Sequence, residues 1–323
     1  LPEFINENPK FYEISKDTLA IGPGIYLFKK DVIFPNKTKL IINPGTTIYL
    51  EENVSFVLFN KIIAKGTAQL PIRILPSTEN PWGSIVIIGS KNEKSELEFI
   101  NISGGSGFQK FGINTTGMLS IHNGDAIIKN SNFEKSMNDD AVNIKDGYAI
   151  IESNTFSNTS SDAIDLDNVN GSVINNTFLN IGKDIGGDAL DISFSAVNIS
   201  GNKITICSDK GISIGEKSYP ILTENIISQC HIGISVKDLS RAEIEKAYLF
   251  KNNIGIELKQ KKPIFGGGSA TLKNSILWKN DLDITIDPFS QLEQLESNLI
   301  ESDGIEEPDF KELLPVNFYE FFE

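Results

Sequence analysis

Cysteine, histidine and arginine are nearly missing from this chain. Cys207 and Cys230 are the only cysteines in 323 residues, too few for a disulfide scaffold. His122 and His231 are the only histidines, and no zinc-ligand spacing occurs, which argues against a transition-metal enzyme. Arg241 is the only arginine of the repeat region described below. No apolar run approaches the ~18 residues that would mark a membrane-spanning helix. Positive charge is short as well: 29 Lys and Arg face 43 Asp and Glu, for a net charge of -14 and a pI near 4.7. Nucleic acid or anionic lipid would need a basic footprint, so cations and neutral or basic ligands fit better. A start at Leu1 instead of Met suggests a processed or excised chain whose targeting signal is not part of the sequence.

What is present is repetition. The phrases DAVN (140–143), DAID (162–165), DALD (188–191), KGIS (210–213), IGIS (232–235) and IGIE (254–257) start 22, 26, 22, 22 and 22 residues apart. The long step carries four extra residues near KDIG (183–186), which reads as a local loop. A second phrase precedes each by about eight residues, beginning at Asn132, Asn154, Asn176, Asn202, Glu224 and Lys246. Within each repeat apolar and polar residues alternate, a strand signal, with Asn and Gly at the corners. The 40% hydrophobic content suffices for a sizeable core.

Together these features predict an all-β, single-stranded, right-handed parallel β-helix with coils of about 22 residues, stacked about 4.8 Å apart. Leucine-rich repeats would require Leu at fixed positions and a helical return segment, and a β-sandwich would lack the period. One domain over 1–323 is expected: irregular N-terminal coils and a cap in 1–115, regular coils in 116–290, and a C-terminal cap or tail in 291–323. The final FKELLPVNFYEFFE, with four Phe and one Tyr, suits a cap that covers the open end of a solenoid.

Stacking turns the repeat into rows of spatial neighbours. One outward row reads Asn143, Asp165, Asp191, Ser213, Ser235, Glu257, and the next reads Lys145, Asp167, Ser193, Gly215, Lys237, Lys259. The preceding corner reads Asp140, Asp162, Asp188, Lys210, Ile232, Ile254. Like charges about 5 Å apart repel and raise one another's pKa, so a compensating charge is expected. Ca²⁺, a hard cation with oxygen ligands, suits Asp140, Asp162, Asp165, Asp188 and Asp191, with Asn143 or backbone carbonyls completing the shell. Corner Asn and Asp also serve turns and ladders without any chemistry, but six carboxylates on adjoining rows exceed what turns require. Asp209, Lys210, Glu216 and Lys217 share one coil, either as acid/base groups or as an ordinary solvated mixture. Cys207 and Cys230 fall in adjacent coils at offsets differing by one residue, so free thiols are expected.

The coils from about Asn130 to Leu258, with NNTFLN, DKGISIG and NNIGIEL, resemble the right-handed parallel β-helix repeat proteins of bacteria, the pectate-lyase-like superfamily. KKPIFGGG (261–268) also looks like modules of large bacterial surface proteins. The resemblance implies an extracytoplasmic location (secreted, periplasmic or cell-surface) and an acidic polysaccharide or cell-surface component as partner. It implies a Ca²⁺-assisted lyase or C5-epimerase. Asp162, Asp165, Asp188 and Asp191 would be metal ligands, Lys210 the base, and Lys237 the group binding the sugar acid, with Asp209 a further catalytic candidate. Asp167, Glu216 and Lys145 would line the substrate. Two other functions compete: a non-catalytic surface or scaffold module, and a glycoside hydrolase using paired carboxylates such as Asp165 and Asp191.

Overall fold

The alternation of apolar and polar residues winds into a right-handed parallel solenoid of about 12 turns with about 23-residue spacing. The computed structural model describes residues 1–90, 93–295 and 297–301. The aromatic stretch expected to form a C-terminal cap, 310–323, therefore lies outside the described residues. Each regular coil contributes three strand segments. In the middle coils the first two fuse around a corner, as in Asp140–Glu152, whose first half pairs with Gly117–His122 and whose second half pairs with Asp125–Lys129. Nearly all ladders are parallel. The exceptions among the described residues are Tyr12–Ser15 against Thr18–Ile21, and the hairpin of Phe108–Lys110 with Ile113–Thr115. The only described α-helix, Pro2–Glu7, starts on a proline and packs Leu1, Phe4 and Ile5 against the N-terminal end of the core. Among the described residues no helix is long and apolar enough to cross a membrane.

Inward residues form continuous stacks. Phe133, Phe156 and Phe178 lie 5.0 and 5.1 Å apart between centroids, nearly coplanar at 9° and 10°. Offset-stacked rings suit equivalent positions in successive coils. Beside them runs a buried amide ladder in which Asn154 donates to Asn176 (3.0 Å), Asn176 to Asn202 (3.1 Å) and Asn202 to Asn225 (2.9 Å). Each amide also donates to a backbone carbonyl, Asn176 to Ile151 at 2.9 Å. Asn176→Ala should therefore destabilise the fold by about 2–3 kcal/mol, because it strands buried polar partners on both sides. Denaturant titration of the variant checks this, and a loss within the ordinary surface range would show the ladder to be incidental.

The ladder corrects the register expected from a constant 22-residue step. Asn202 stacks on Asn225, not on Glu224, and Asn154 bonds the backbone of Ser131, not that of Asn132. The extra residue is absorbed by a bulge between Cys207 and Lys210. Cys207 and Cys230 lie upstream of that bulge, in the same register as Asn202 and Asn225, and so pair directly as buried free thiols, where the spacing had offset them by one residue. Lys183–Gly186 forms the expected local loop, and pairing is intact on either side, Asp165 with Asp191 and Thr177 with Lys203.

Alanine gives way to glycine between DALD and KGIS for a steric reason. A Cβ on Gly211, Gly233 or Gly255 would meet a carbonyl oxygen of the next coil at 2.7, 2.5 and 2.5 Å. The downstream coils approach one another too closely there for a side chain.

Candidate functional site

The outer face of the first strand row is a trough with polar residues on its floor. At its upstream end the 108–115 hairpin folds over it, with Phe108 and Ile113 packing on Val57 and Val86. Downstream, the excursion around KKPIFGGG is anchored by Asp238, whose Oδ1 accepts from the backbone of Lys261 (2.8 Å) and Lys262 (2.7 Å). Its Phe265 meets Phe194 edge-on at 6.4 Å. These two elements flank the acidic residues between them.

The structure brings Asp162, Asp188 and Asp191 together, with one carboxylate oxygen of each within 4.8 Å of the others. Parallel pairing places them there: Asp140 is in register with Asp162, and Asp165 with Asp191. Asp162 Oδ1 accepts from the Asp188 amide at 2.7 Å, and Asp188 Oδ1 accepts from the Lys210 amide at 2.9 Å. Asp191 Oδ1 is buried without a hydrogen-bond partner. One row over, Asp165 accepts from Asn143 (2.7 Å), whose oxygen meets His122 Nε2 at 2.8 Å. Asp140, one coil upstream of Asp162, accepts from the Thr116 hydroxyl.

Burial dominates the electrostatics. It pushes Asp140 up to about 7 against the bond from Thr116, and Asp162 up to about 9 with help from the Asp188 charge. Asp165 is pushed well above the usual carboxylate range, first by burial and then by Asp140 and Asp167. Asp188 is raised by burial despite the neighbouring Lys210. A concentration of protonation-prone carboxyls in one trough marks a functional candidate.

The lysines divide. Lys210 is 7% exposed and pairs with Asp188 at 3.4 Å and with Asp209. Burial favours its neutral form, but the two carboxylates outweigh it and hold the ammonium above its ordinary pKa. Lys237, 4% exposed, donates to Ser213 Oγ at 2.6 Å on the trough floor. The three expected substrate-lining residues are engaged elsewhere. Lys145 and Asp167 pair with each other at 2.7 Å, and Glu216 is bound by Ser193 and by Lys262 of the excursion. Burial would raise Glu216, but those two donors keep it below its ordinary value. Neither Thr116 nor Lys262 carries a repeat signal, because each belongs to an insertion between strands.

A cation fits this donor set. Two oxygens on opposite sides of one Ca²⁺ at about 2.4 Å stand about 4.8 Å apart, the limit that one oxygen of each of these three carboxylates meets, and Asp191 has an oxygen without a protein partner. All three side chains are hard oxygen donors, and a positive ion would relieve the repulsion that raises Asp162 and Asp188.

A sequence profile described as the right-handed beta helix region matches residues 112–287. No curated protein sequence matches the chain. A crystal structure of a point mutant of the periplasmic alginate epimerase AlgG shares 12% identity and a TM-score of 0.58, covering 93% of this chain and 82% of that one. A double mutant of AlgG gives 11% identity, a TM-score of 0.53 and the same 93% and 82% coverage. The A-module of Azotobacter vinelandii mannuronan C-5 epimerase AlgE4 shares 11% identity over 84% of this chain and 90% of its own, with a TM-score of 0.45. At such identities the fold is what is shared with AlgG.

Proposed function

The chain belongs to the right-handed β-helix family, and from that premise we propose that it is an extracytoplasmic protein acting on an acidic polysaccharide. The observation that carries this reading is the Asp162, Asp188, Asp191 cluster, half-buried at Asp162 and Asp191 and buried at Asp188, with an unpartnered oxygen on Asp191. Asp162, Asp188 and Asp191 would hold Ca²⁺, with Asp165 and Asp140 as further negative charge nearby. When bound, the ion would neutralise a uronate carboxylate and acidify the adjacent C5 proton, the chemistry of β-elimination or epimerisation.

The chain's own groups have definite parts in that reaction. Lys237 on the floor would bind the sugar acid. Lys210 is the base, but its pairing with Asp188 and Asp209 keeps it charged in the resting state. To act as a base it would first have to lose a proton to solvent, which a cation held by Asp188 would favour by weakening that pairing; the neutral amine could then take the C5 proton, oriented by Asp209. Binding of the cation and release of the base are thus joined through one carboxylate.

A second reading has an observation of its own. Asp162 is held protonated up to about 9, and it lies within 4.8 Å of Asp191. A neutral acid about 5 Å from a second carboxylate is the arrangement of a retaining glycosidase. A scaffold module would use the same cluster for cation or partner binding alone.

Calcium calorimetry on the wild type and on Asp191→Asn tests the site, and assays on uronate polymers test the chemistry. We expect binding that the variant weakens at least tenfold, with a calcium-dependent rise in ultraviolet absorbance from unsaturated ends if the reaction is elimination. Reducing ends without that absorbance favour the hydrolase, and calcium binding without turnover or C5 inversion favours the module. An absence of calcium binding removes the lyase reading.

A further inference from the structure

The excursion around KKPIFGGG runs backward along the solenoid. Glu257 follows Ser235, Ser213 and Asp191 in register, so its coil lies three steps downstream of Asp191, roughly 14 Å. Yet Lys262 returns to Glu216, on the coil of Ser213, and Phe265 returns to Phe194, on the coil of Asp191 itself. Two anchors fix this path: the Asp238 carboxylate takes the amides of Lys261 and Lys262, and the Leu239 amide donates to the Gly266 carbonyl at 3.1 Å. Gly266 permits the close approach, since a Cβ there would stand 2.7 Å from Leu239 Cδ2.

A strap that served only to cover strand edges would bury the apolar side chains it meets. This one leaves them open: Phe194 is 53%, Leu239 46% and Ile264 85% exposed, a contiguous apolar patch beside the trough. Its accessible charge is positive, in a chain of net charge -14. The acids nearest to it, Glu216 and Asp238, are buried, whereas the Lys217 ammonium stands in solvent 5.8 Å from the Phe265 centroid. Among the described residues no acid forms an ion pair with Lys217 or Lys261. Open rings beside uncommitted ammonium groups suit a ligand with an apolar face and an anionic edge, and a sugar acid has both. Phe194 follows Asp191 by three residues, roughly 10 Å, so neighbouring residues of one sugar chain can reach both.

We propose that this strap is a subsite wall, on which a uronate residue adjacent to the one at Asp162, Asp188 and Asp191 stacks against Phe194 and Phe265 with its carboxylate on Lys217. The inference rests on the polysaccharide reading but not on the cation. It makes Phe265 and Lys217 specificity-determining positions, which select polymers whose acidic residues are contiguous over those in which acidic and neutral sugars alternate.

Saturation-transfer NMR with tetragalacturonate, tetramannuronate and tetraguluronate, in EDTA at pH 6, tests the wall separately from the metal site. At that pH burial keeps Asp140, Asp162 and Asp165 largely protonated, so the empty cluster repels the ligand little. At least one of the three should bind the wild-type protein, about tenfold more weakly to Phe265→Ala and about threefold more weakly to Lys217→Gln. Lys217→Gln changes an exposed side chain without an ion-pair partner, so it should melt with the wild type and keep the test independent of folding. Cellotetraose should not compete. Absence of binding by all three uronates, equal binding by both variants, or equal competition by cellotetraose would each overturn the proposal. Failure of calcium binding or uronate turnover leaves these outcomes unchanged, so the two readings fail separately.

Discussion

In chelator, the thermal midpoint should fall by about 5 °C between pH 5 and pH 9, and saturating Ca²⁺ at pH 8 should restore most of the loss. Asp140 and Asp162 titrate near 7 and 9 in the folded protein against an ordinary 3.8, and Asp165 and Asp188 are raised too. A carboxyl with a raised folded pKa binds its proton more tightly in the native state. Its stabilisation is complete below the unfolded pKa and is lost as pH climbs through the folded values, here across about 4 to 9. Coupling among the four makes the loss smaller than four separate shifts would give, on the order of 3–5 kcal/mol. Burial lowers His122 from its ordinary 6.5 against the bond from Asn143, so its contribution runs the other way in this range, lost as pH falls, and offsets a part of the carboxyl effect; the remaining shifted groups of the site act outside it. Glu216 is lowered, so its contribution is lost only in acid, and those of the raised Lys145 and Lys210 are lost only above their ordinary 10.5. Scanning calorimetry over pH with EDTA and with calcium gives both curves. A flat midpoint in EDTA would mean that water reaches the trough and the carboxylates ionise without penalty.

Asp162→Asn should flatten the EDTA curve toward its acid end, since the amide keeps the shape and removes the charge. The same variant should bind calcium less well, so stability without the ion and affinity for it move in opposite directions. That opposition separates a cation site from a turn-forming aspartate, whose replacement would lower stability at every pH.

The coils were legible because a stacked fold writes its period into the chain: Phe156 and Phe178 repeat where rings stack, and Asn154 and Asn176 where amides do. The period failed by one residue at Asn225 because a bulge leaves no residue type that betrays it. The rows of Asp followed from the same period, so Asp140, Asp162, Asp165, Asp188 and Asp191 could be placed as neighbours in advance. Which partners hold the basic residues could not. Lys262 reaches Glu216 from 46 residues away through an excursion of irregular length, and Thr116 meets Asp140 from the end of a hairpin that no repeat contains. Exposure misled as well: outward-facing Asn143, Ser213 and Lys237 are almost fully buried, and each is bonded to a side chain of an adjacent coil, Asn143 to Asp165 and Lys237 to Ser213.

Lys210→Met should destabilise the protein by about 3–5 kcal/mol, while Lys210→Met with Asp188→Leu should recover most of that stability. The single change leaves Asp188, 6% exposed, without the ammonium that offsets its burial. The double change removes both charges and fills the space with apolar atoms, which proteins tolerate far better than half of a buried pair. Catalysis should not follow this recovery. If Lys210 is the base on a uronate polymer, both variants lose at least about a hundredfold in kcat, the lower range for general base catalysis. If Lys210 only balances Asp188, activity per folded molecule should survive the single change at low temperature, where the fold persists. Urea titration read beside initial rates on one substrate separates the two roles, because a counter-ion is needed wherever its carboxylate is buried and a base only where a proton must leave.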